Sequence, residues 1–260
     1  MTDFDAGTPP AQVASDDHAL AAWTATTAGR LLLQVRTEGL EGRQLKDAGD
    51  RSAHELLMRL LAEHRPGDAV LSEEGSDDKA RLQADRVWIV DPLDGTREFS
   101  EPPREDWAVH VALWERGELV AGAVAQPGLG TTFHTGEPPV VPPSTSGRPR
   151  IVVSRTRPPA FVTALAEELG AELVPMGSAG AKVMSVIRDV SDAYVHAGGQ
   201  YEWDSAAPVA VARAAGLFTS RVDGSPLVYN QDDVLLPDLV VCRPELAERI
   251  LAFVRDHGTD

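Results

Sequence analysis

The chain has 260 residues, enough for one large domain or two small ones around a proper core, and its 40 Asp and Glu against 24 Lys and Arg leave a formal charge of −16. No cluster of four or more Lys and Arg occurs, so the basic face that coats a nucleic acid polymer or an anionic membrane is missing. A single cysteine, Cys242, excludes an internal disulfide, a multi-cysteine zinc site and a CxxC redox centre.

Residues 1–14 read as a flexible tail, acidic and polar, without the basic-then-apolar order of a secretory leader. The expected location is the cytoplasm. No run of 18 apolar residues exists, so no membrane insertion is expected. Ser15 reads as the N-cap of a helix reaching Val35, with Leu20, Trp23, Leu31 and Val35 at helical spacing. A second helix is predicted from about Arg51 to His64 on the stripe Leu56, Leu57, Leu60 and Leu61, closed by Pro66-Gly67. Ala69-Val70-Leu71 is a short strand leading into Ser72-Glu73-Glu74, and Val87–Val90 is a strand that stops at Asp91-Pro92. From Trp107 to Ala125 the pattern is a β-hairpin turning at Glu115–Glu118. The Pro-, Gly- and Ser-rich stretch Gly136–Pro149 divides the chain into two lobes, 15–145 and 146–260. In the second lobe strands at Ile151–Val153, Leu173-Val174, Ala193–Val195 and Leu239–Val241 alternate with helices at Pro158–Leu169, Ser178–Arg188, Trp203–Ala215 and Pro244–Val254. Hairpins in one lobe and alternation in the other point to a layered α/β or α+β fold.

The chemistry concentrates in Val87–Phe99, VWIVDPLDGTREF. A buried strand ends at a carboxylate, Pro92 stiffens the turn, and a second carboxylate follows three residues later. Paired carboxylates at a strand end offer hard oxygen ligands to divalent cations. Gly95 lets backbone N–H groups approach an anion at the start of a short helix, so Asp94, Gly95 and Thr96 form a candidate phosphate cradle, with the Thr96 hydroxyl able to orient a water. Glu73-Glu74 alone reads as a solvated acidic turn, and Asp50 and Asp204 alone read as helix N-caps. The spacing DxxDGT does not fit the DxDx[TV] strand end of aspartate-nucleophile phosphatases, and the GxxxxGK[ST] loop is absent.

Asp91-Pro92-Leu93-Asp94-Gly95-Thr96 resembles the signature of the inositol monophosphatase superfamily, lithium-sensitive magnesium-dependent phosphatases. Leu71-Ser72-Glu73-Glu74 resembles its Glu-Glu motif, and Trp203-Asp204-Ser205-Ala206-Ala207-Pro208 its C-terminal Trp-Asp motif. With the region around Asp50 the resemblance covers residues 15–255. The Asp50 segment reads Lys46-Asp47-Ala48-Gly49-Asp50, without the family's Pro and Thr. The resemblance implies an α+β fold, a layered αβαβα sandwich, with a metal-binding first lobe and a substrate-holding second lobe. It implies metal ligation by Glu73, Asp91, Asp94, Asp204 and the Leu93 carbonyl. It also implies in-line attack on phosphorus by a metal-activated water, positioned by Thr96 with Glu73 or Asp50. Carboxylates without His or Cys select Mg2+ over zinc. Two to three Mg2+ per site are expected, with Mn2+ as a substitute and Li+ and Ca2+ as inhibitors.

Within the superfamily, Arg97-Glu98-Phe99 is similar to the Lys-Glu-Phe of the 3′(2′),5′-bisphosphate nucleotidase branch, the 3′-phosphoadenosine 5′-phosphate phosphatases of sulfur assimilation. Val153-Ser154-Arg155-Thr156 and Gly177–Lys182 resemble that branch too. Arg97, Ser154, Arg155, Gly177, Ser178 and Lys182 are therefore the candidate substrate contacts, with Arg157 as a further cation and Tyr201 or Trp203 as a surface for adenine. The implied reaction converts adenosine 3′,5′-bisphosphate to AMP and phosphate. The alternatives are inositol-1-phosphate, fructose-1,6-bisphosphate, or a metal-binding regulatory protein without activity. The sugar-contacting Glu of the inositol enzymes has no counterpart near Ala197–Gln200, and Arg104-Glu105-Asp106-Trp107 replaces the Gly-Glu-Phe common in the nucleotidases. The expected partner is a small phosphorylated molecule, with room for a homodimer.

Overall fold

A computed structural model describes residues 4–259. The first sheet takes its strands in chain order: β1 (Ala69–Ser72), β2 (Arg86–Asp94), β3 (Ala108–Glu115), β4 (Glu118–Gln126) and β5 (Thr131–His134). The second sheet comprises β6 (Arg150–Ser154), β7 (Glu172–Met176), β8 (Ala193–Tyr201), β9 (Phe218–Ser220) and β10 (Leu235–Cys242), ordered β7-β6-β8-β10-β9. Helices α2 (Asp17–Val35) and α3 (Gly42–His64) bury Leu20, Leu32, Leu57 and Leu60 against one face of the first sheet. Helices α6 (Ala179–Ile187) and α7 (Glu202–Ala214) fill the space between the sheets, and α5 (Ala160–Leu169) and α8 (Pro244–His257) cover the far face of the second. The layers run αβαβα. Every residue of α6 is buried, as a helix sandwiched between two sheets requires.

Three expectations change. The tail is partly ordered: α1 occupies Ala11–Ser15, Ala6 is buried, and Phe4 and Val13 pack on the first core. Apolar residues dispersed in a polar stretch supply that anchor, and only residues 1–3 of the expected tail lie outside the described ones. The cap of α2 is Asp16, whose carboxylate accepts from the Ala19 amide at 2.9 Å, rather than Ser15. Helix α3 starts at Gly42, nine residues before the predicted start at Arg51, so Asp50 lies inside a helix and is not a cap. Its first turns bury only Leu45 and Gly49, too thin a stripe for periodicity to detect.

Strand β2 is where sequence becomes site. It pairs parallel with β1 (Val70 opposite Trp88) and antiparallel with β3 (Val90 opposite Val111), and the register with β3 breaks between Asp91 and Asp94. Residues three apart on a regular strand face opposite sides. A register break at Pro92, which has no N–H for the ladder, lets both carboxylates turn toward the same place.

Candidate metal centre

Carboxylate oxygens of Asp91, Asp94 and Asp204 lie within 4.8 Å of one another. Asp91 is buried and accepts the Leu93 amide at 3.0 Å, which closes the turn of the signature. Burial pushes its carboxyl well above the usual range, and the charges of Glu73, Asp94 and Asp204 push the same way. Asp204 stands in the first turn of α7 and accepts the Tyr201 amide at 2.7 Å, so it makes a cap-type bond and faces the cluster at once. Burial and the charge of Asp94 lift it to about 6.

Asp94 behaves oppositely. Burial opposes its ionisation, but the His110 imidazole, the Ser178 hydroxyl and the Gly180 amide bring its pKa to about 2. Ser178 Oγ donates to it at 2.5 Å, Gly180 N at 2.6 Å and Ala179 N at 3.1 Å, and His110 Nε2 stands 3.2 Å away as an ion-pair partner. Asp94 therefore occupies the N-terminus of α6, where amide dipoles favour a negative charge. His110 Nδ1 donates to the Trp203 carbonyl at 3.0 Å, which links the signature to the Trp-Asp motif. His110 was not among the sequence candidates; a lone histidine inside the apolar strand AVHVALW was the available signal.

Glu73 stands at the solvent-open rim. Protein packed on its inner side still removes enough water to lift its carboxyl to about 7, helped by Asp204, Asp94 and Glu74 and opposed by its hydrogen bond to Asp91. Asp50 rises to about 7 through burial and the charge of Glu74. The Thr96 hydroxyl lies 3.2 Å from the Leu93 carbonyl and 3.4 Å from Asp50 Oδ1, so α3 delivers Asp50 to the signature. Gly95 turns β2 into the short helix α4 (Thr96–Phe99) at φ 84°, a left-handed conformation glycine accepts without strain. An all-oxygen set of crowded carboxylates fits a hard divalent cation, which would relieve their repulsion.

Beside the cluster, a cavity of about 250 Å3 is lined by Asp94, Gly95, Ser154, Ser178, Lys182, Tyr194, His196, Gln200 and Asp204. A larger cavity of about 1070 Å3 lies between the N-terminal segment and α2–α3, away from every carboxylate of the cluster. Converging charge, not size, marks the site. Lys182 is 8 % exposed, with Nζ 5.1 Å over the Tyr194 ring and no carboxylate ion-paired to it among the described residues. Burial lowers its pKa, against the pull of Asp94, Glu98 and Asp204. Tyr194, His196 and Gln200 come from β8, whose short apolar signal in sequence ended at Val195.

Other expected substrate contacts go elsewhere. Arg155 is spent on Glu98 and Glu101, both at 2.7 Å. Arg97 is exposed and pairs with Glu101 at 3.2 Å. Gly177 does not line the cavity: it admits Glu98, since a Cβ there would lie 2.2 Å from that carboxyl carbon, and its amide bonds Asp106. Ser178 lines the cavity, but its hydroxyl is committed to Asp94. Trp203 stacks on Tyr201 at 4.8 Å, leaving Tyr201 the exposed ring of the pair. Arg155→Ala is accordingly expected to act on stability: it strands buried Glu98, at a cost on the order of 3 kcal/mol, read by denaturant unfolding.

Residues 19–259 match the inositol monophosphatase family model. The 3′-phosphoadenosine 5′-phosphate phosphatase of Mycobacterium tuberculosis is 54 % identical over 239 residues, 88 % of this chain and 90 % of the relative. The 3′(2′),5′-bisphosphate nucleotidase CysQ of Escherichia coli is 30 % identical over 200 residues, 73 % and 81 % of the two chains. The crystal structure of inositol monophosphatase II from Staphylococcus aureus superposes with a TM-score of 0.78 over 92 % of this chain and 93 % of that one, at 22 % identity. Together with the αβαβα layering, these matches place the chain in the inositol monophosphatase family.

Proposed function

We propose that the chain is a magnesium-dependent phosphatase that removes the 3′-phosphate of adenosine 3′,5′-bisphosphate, yielding AMP and phosphate. The observation that carries this reading is the convergence of Asp91, Asp94 and Asp204 beside a cavity holding a buried lysine with no carboxylate ion-paired to it among the described residues. The name of the M. tuberculosis relative, at 54 % identity, supports the substrate.

Glu73, Asp91, Asp94, Asp204 and the Leu93 carbonyl would hold Mg2+, two to three ions, with Mn2+ as a substitute. When bound, Mg2+ supplies Lewis acidity that neutralises phosphate charge and acidifies water. His110, Ser178 and the α6 amides keep Asp94 ionised and fixed in direction. Thr96, held between the Leu93 carbonyl and Asp50, orients the attacking water, and Asp50 or Glu73 accepts its proton. The cavity beside the cluster leaves the rest of the substrate to Lys182 and Ser154. The setting is cytoplasmic, a compartment where the buried free thiol of Cys242 stays reduced; no helix among the described residues is long and apolar enough to cross a membrane.

Phosphate release should be lost in EDTA, restored by Mg2+, and inhibited by Li+ and by excess Ca2+, whose looser coordination misplaces the water. Full turnover in EDTA would overturn the reading. The substrate is decided by comparing kcat/KM for adenosine 3′,5′-bisphosphate, inositol-1-phosphate and fructose-1,6-bisphosphate at fixed Mg2+.

A further inference from the structure

Residues 73–80 form an exposed arc after β1, and Glu73 is its first residue. The next residue, Arg81, is 1 % exposed. Its guanidinium grips Asp77 with two bonds (Nε to Oδ1 at 2.6 Å, Nη2 to Oδ2 at 3.1 Å), Asn230 Oδ1 at 2.6 Å and the Gln231 carbonyl at 2.8 Å. Asn230 Nδ2 returns a bond to the Arg81 carbonyl at 3.3 Å. The amides of Asn230 and Gln231 in turn donate to the buried carboxylate of Glu202, at 2.6 and 2.7 Å. Glu202 opens α7, two residues before Asp204.

We propose that Arg81 is a positioning residue for the metal centre, tying the Glu73 arc to the first turn of α7 and so setting the spacing between Glu73 and Asp204. The proposal rests on the metal-dependent reading above. An arc with no buried side chain has no apolar anchor of its own, so its place is held from its ends. One end is β1; the other is this buried charge. A buried guanidinium is costly unless its donors are satisfied; the arc and the 230–231 turn satisfy this one, and Glu202 of α7 holds that turn through its two amides, so the three fit in one relative arrangement. The planar fork matters: an ammonium at position 81 keeps the charge but cannot bind Asp77 twice and still reach Asn230 and Gln231. Lys79, exposed and paired with Asp77 and Asp232, adds a weaker tie along the same seam.

The test is calorimetric titration of Mg2+ into the metal-free full chain, with Tm recorded for each variant. Arg81→Lys is expected to weaken Mg2+ binding by about ten- to a hundredfold, as the loss of partners that orient metal ligands generally does. Asn230→Gly should weaken it in the same direction. Glycine accepts the left-handed φ of 59° at position 230, so this variant keeps the backbone if Arg81→Lys fails to fold. Arg243→Lys is the control: Arg243 is also buried, binds Asp189 and Asp192, and shares no residue with the site. It should lower Tm without changing Mg2+ affinity. Unchanged affinity in Arg81→Lys and Asn230→Gly would overturn the proposal, as would equal weakening in Arg243→Lys. A wild-type chain that binds no Mg2+ would overturn the metal reading and this proposal with it.

Discussion

Asp204→Asn is expected to lower kcat by at least about a hundredfold and to raise the Tm of the metal-free protein, whereas Asp94→Asn should lower both. The two carboxylates belong to one cluster but have opposite energetics. Asp204 is crowded by Asp94 and lifted to about 6, so neutralising it removes repulsion. Asp94 is held near 2 by His110, Ser178 and Gly180, so an amide in its place forfeits charge-assisted bonds worth roughly 1.5–3 kcal/mol each. Wild-type turnover in Asp204→Asn at limiting Mg2+ would reassign it as a helix cap.

The same energetics fix a pH dependence. Glu73 and Asp50 at about 7 and Asp204 at about 6 sit above their unfolded values of 4.5 and 3.8. Between about pH 4 and 7 the folded chain binds more protons than the unfolded one, so its stability falls as pH rises through that window. Asp94 contributes in the other direction: its stabilisation is present above 3.8 and is lost as pH falls toward about 2. Calorimetry of the metal-free chain should show Tm declining from pH 5 to 8, and saturating Mg2+ should flatten the decline. A metal-free Tm that rises steadily over that range contradicts the crowded cluster.

The second large effect concerns substrate choice. Lys182→Met should lower kcat/KM for adenosine 3′,5′-bisphosphate by roughly ten- to a hundredfold, the value of one charge-assisted contact, and that for inositol-1-phosphate far less. The metal cluster serves the reacting phosphate, so only groups in the remaining cavity can distinguish a substrate carrying a second one. Among the described residues, Lys182 is the lysine or arginine that lines it. Arg97→Ala should leave the ratio of the two constants unchanged, since that side chain is exposed and paired with Glu101. Equal losses on both substrates in Lys182→Met would show that it serves the common phosphate. A higher wild-type kcat/KM for inositol-1-phosphate would move the assignment to the inositol enzymes.

The helices after residue 146 were legible because each carries its own local signal: Gly170 closing α5, Ser178 capping α6, Pro244 opening α8. The short strands β5 and β9 were not, since three or four residues at a sheet edge have no periodicity to read. The strand-end carboxylates Asp91 and Asp94 were legible as a candidate pair for a different reason. Strand, proline, two carboxylates, glycine and threonine lie within ten residues, and the chemistry that needs them is local to one turn. Arg155 and Arg97 show the limit: from sequence they are cations available to a phosphate, and only the fold reveals Glu98 and Glu101 beside them. By itself, then, the order of residues determined the layered α+β class, the strand-end carboxylate pair and the family resemblance, because these are written in contiguous segments. The tertiary structure decided which carboxylate is crowded and which is held ionised, that Asp50 reaches Thr96 from inside a helix, and that Lys182 rather than Arg155 faces the cavity. Those depend on through-space neighbours some 46 to 93 positions apart in the chain (Asp50 to Thr96, Asp94 to Gly180, His110 to Trp203), and at such separations burial and charge pairing are set by packing.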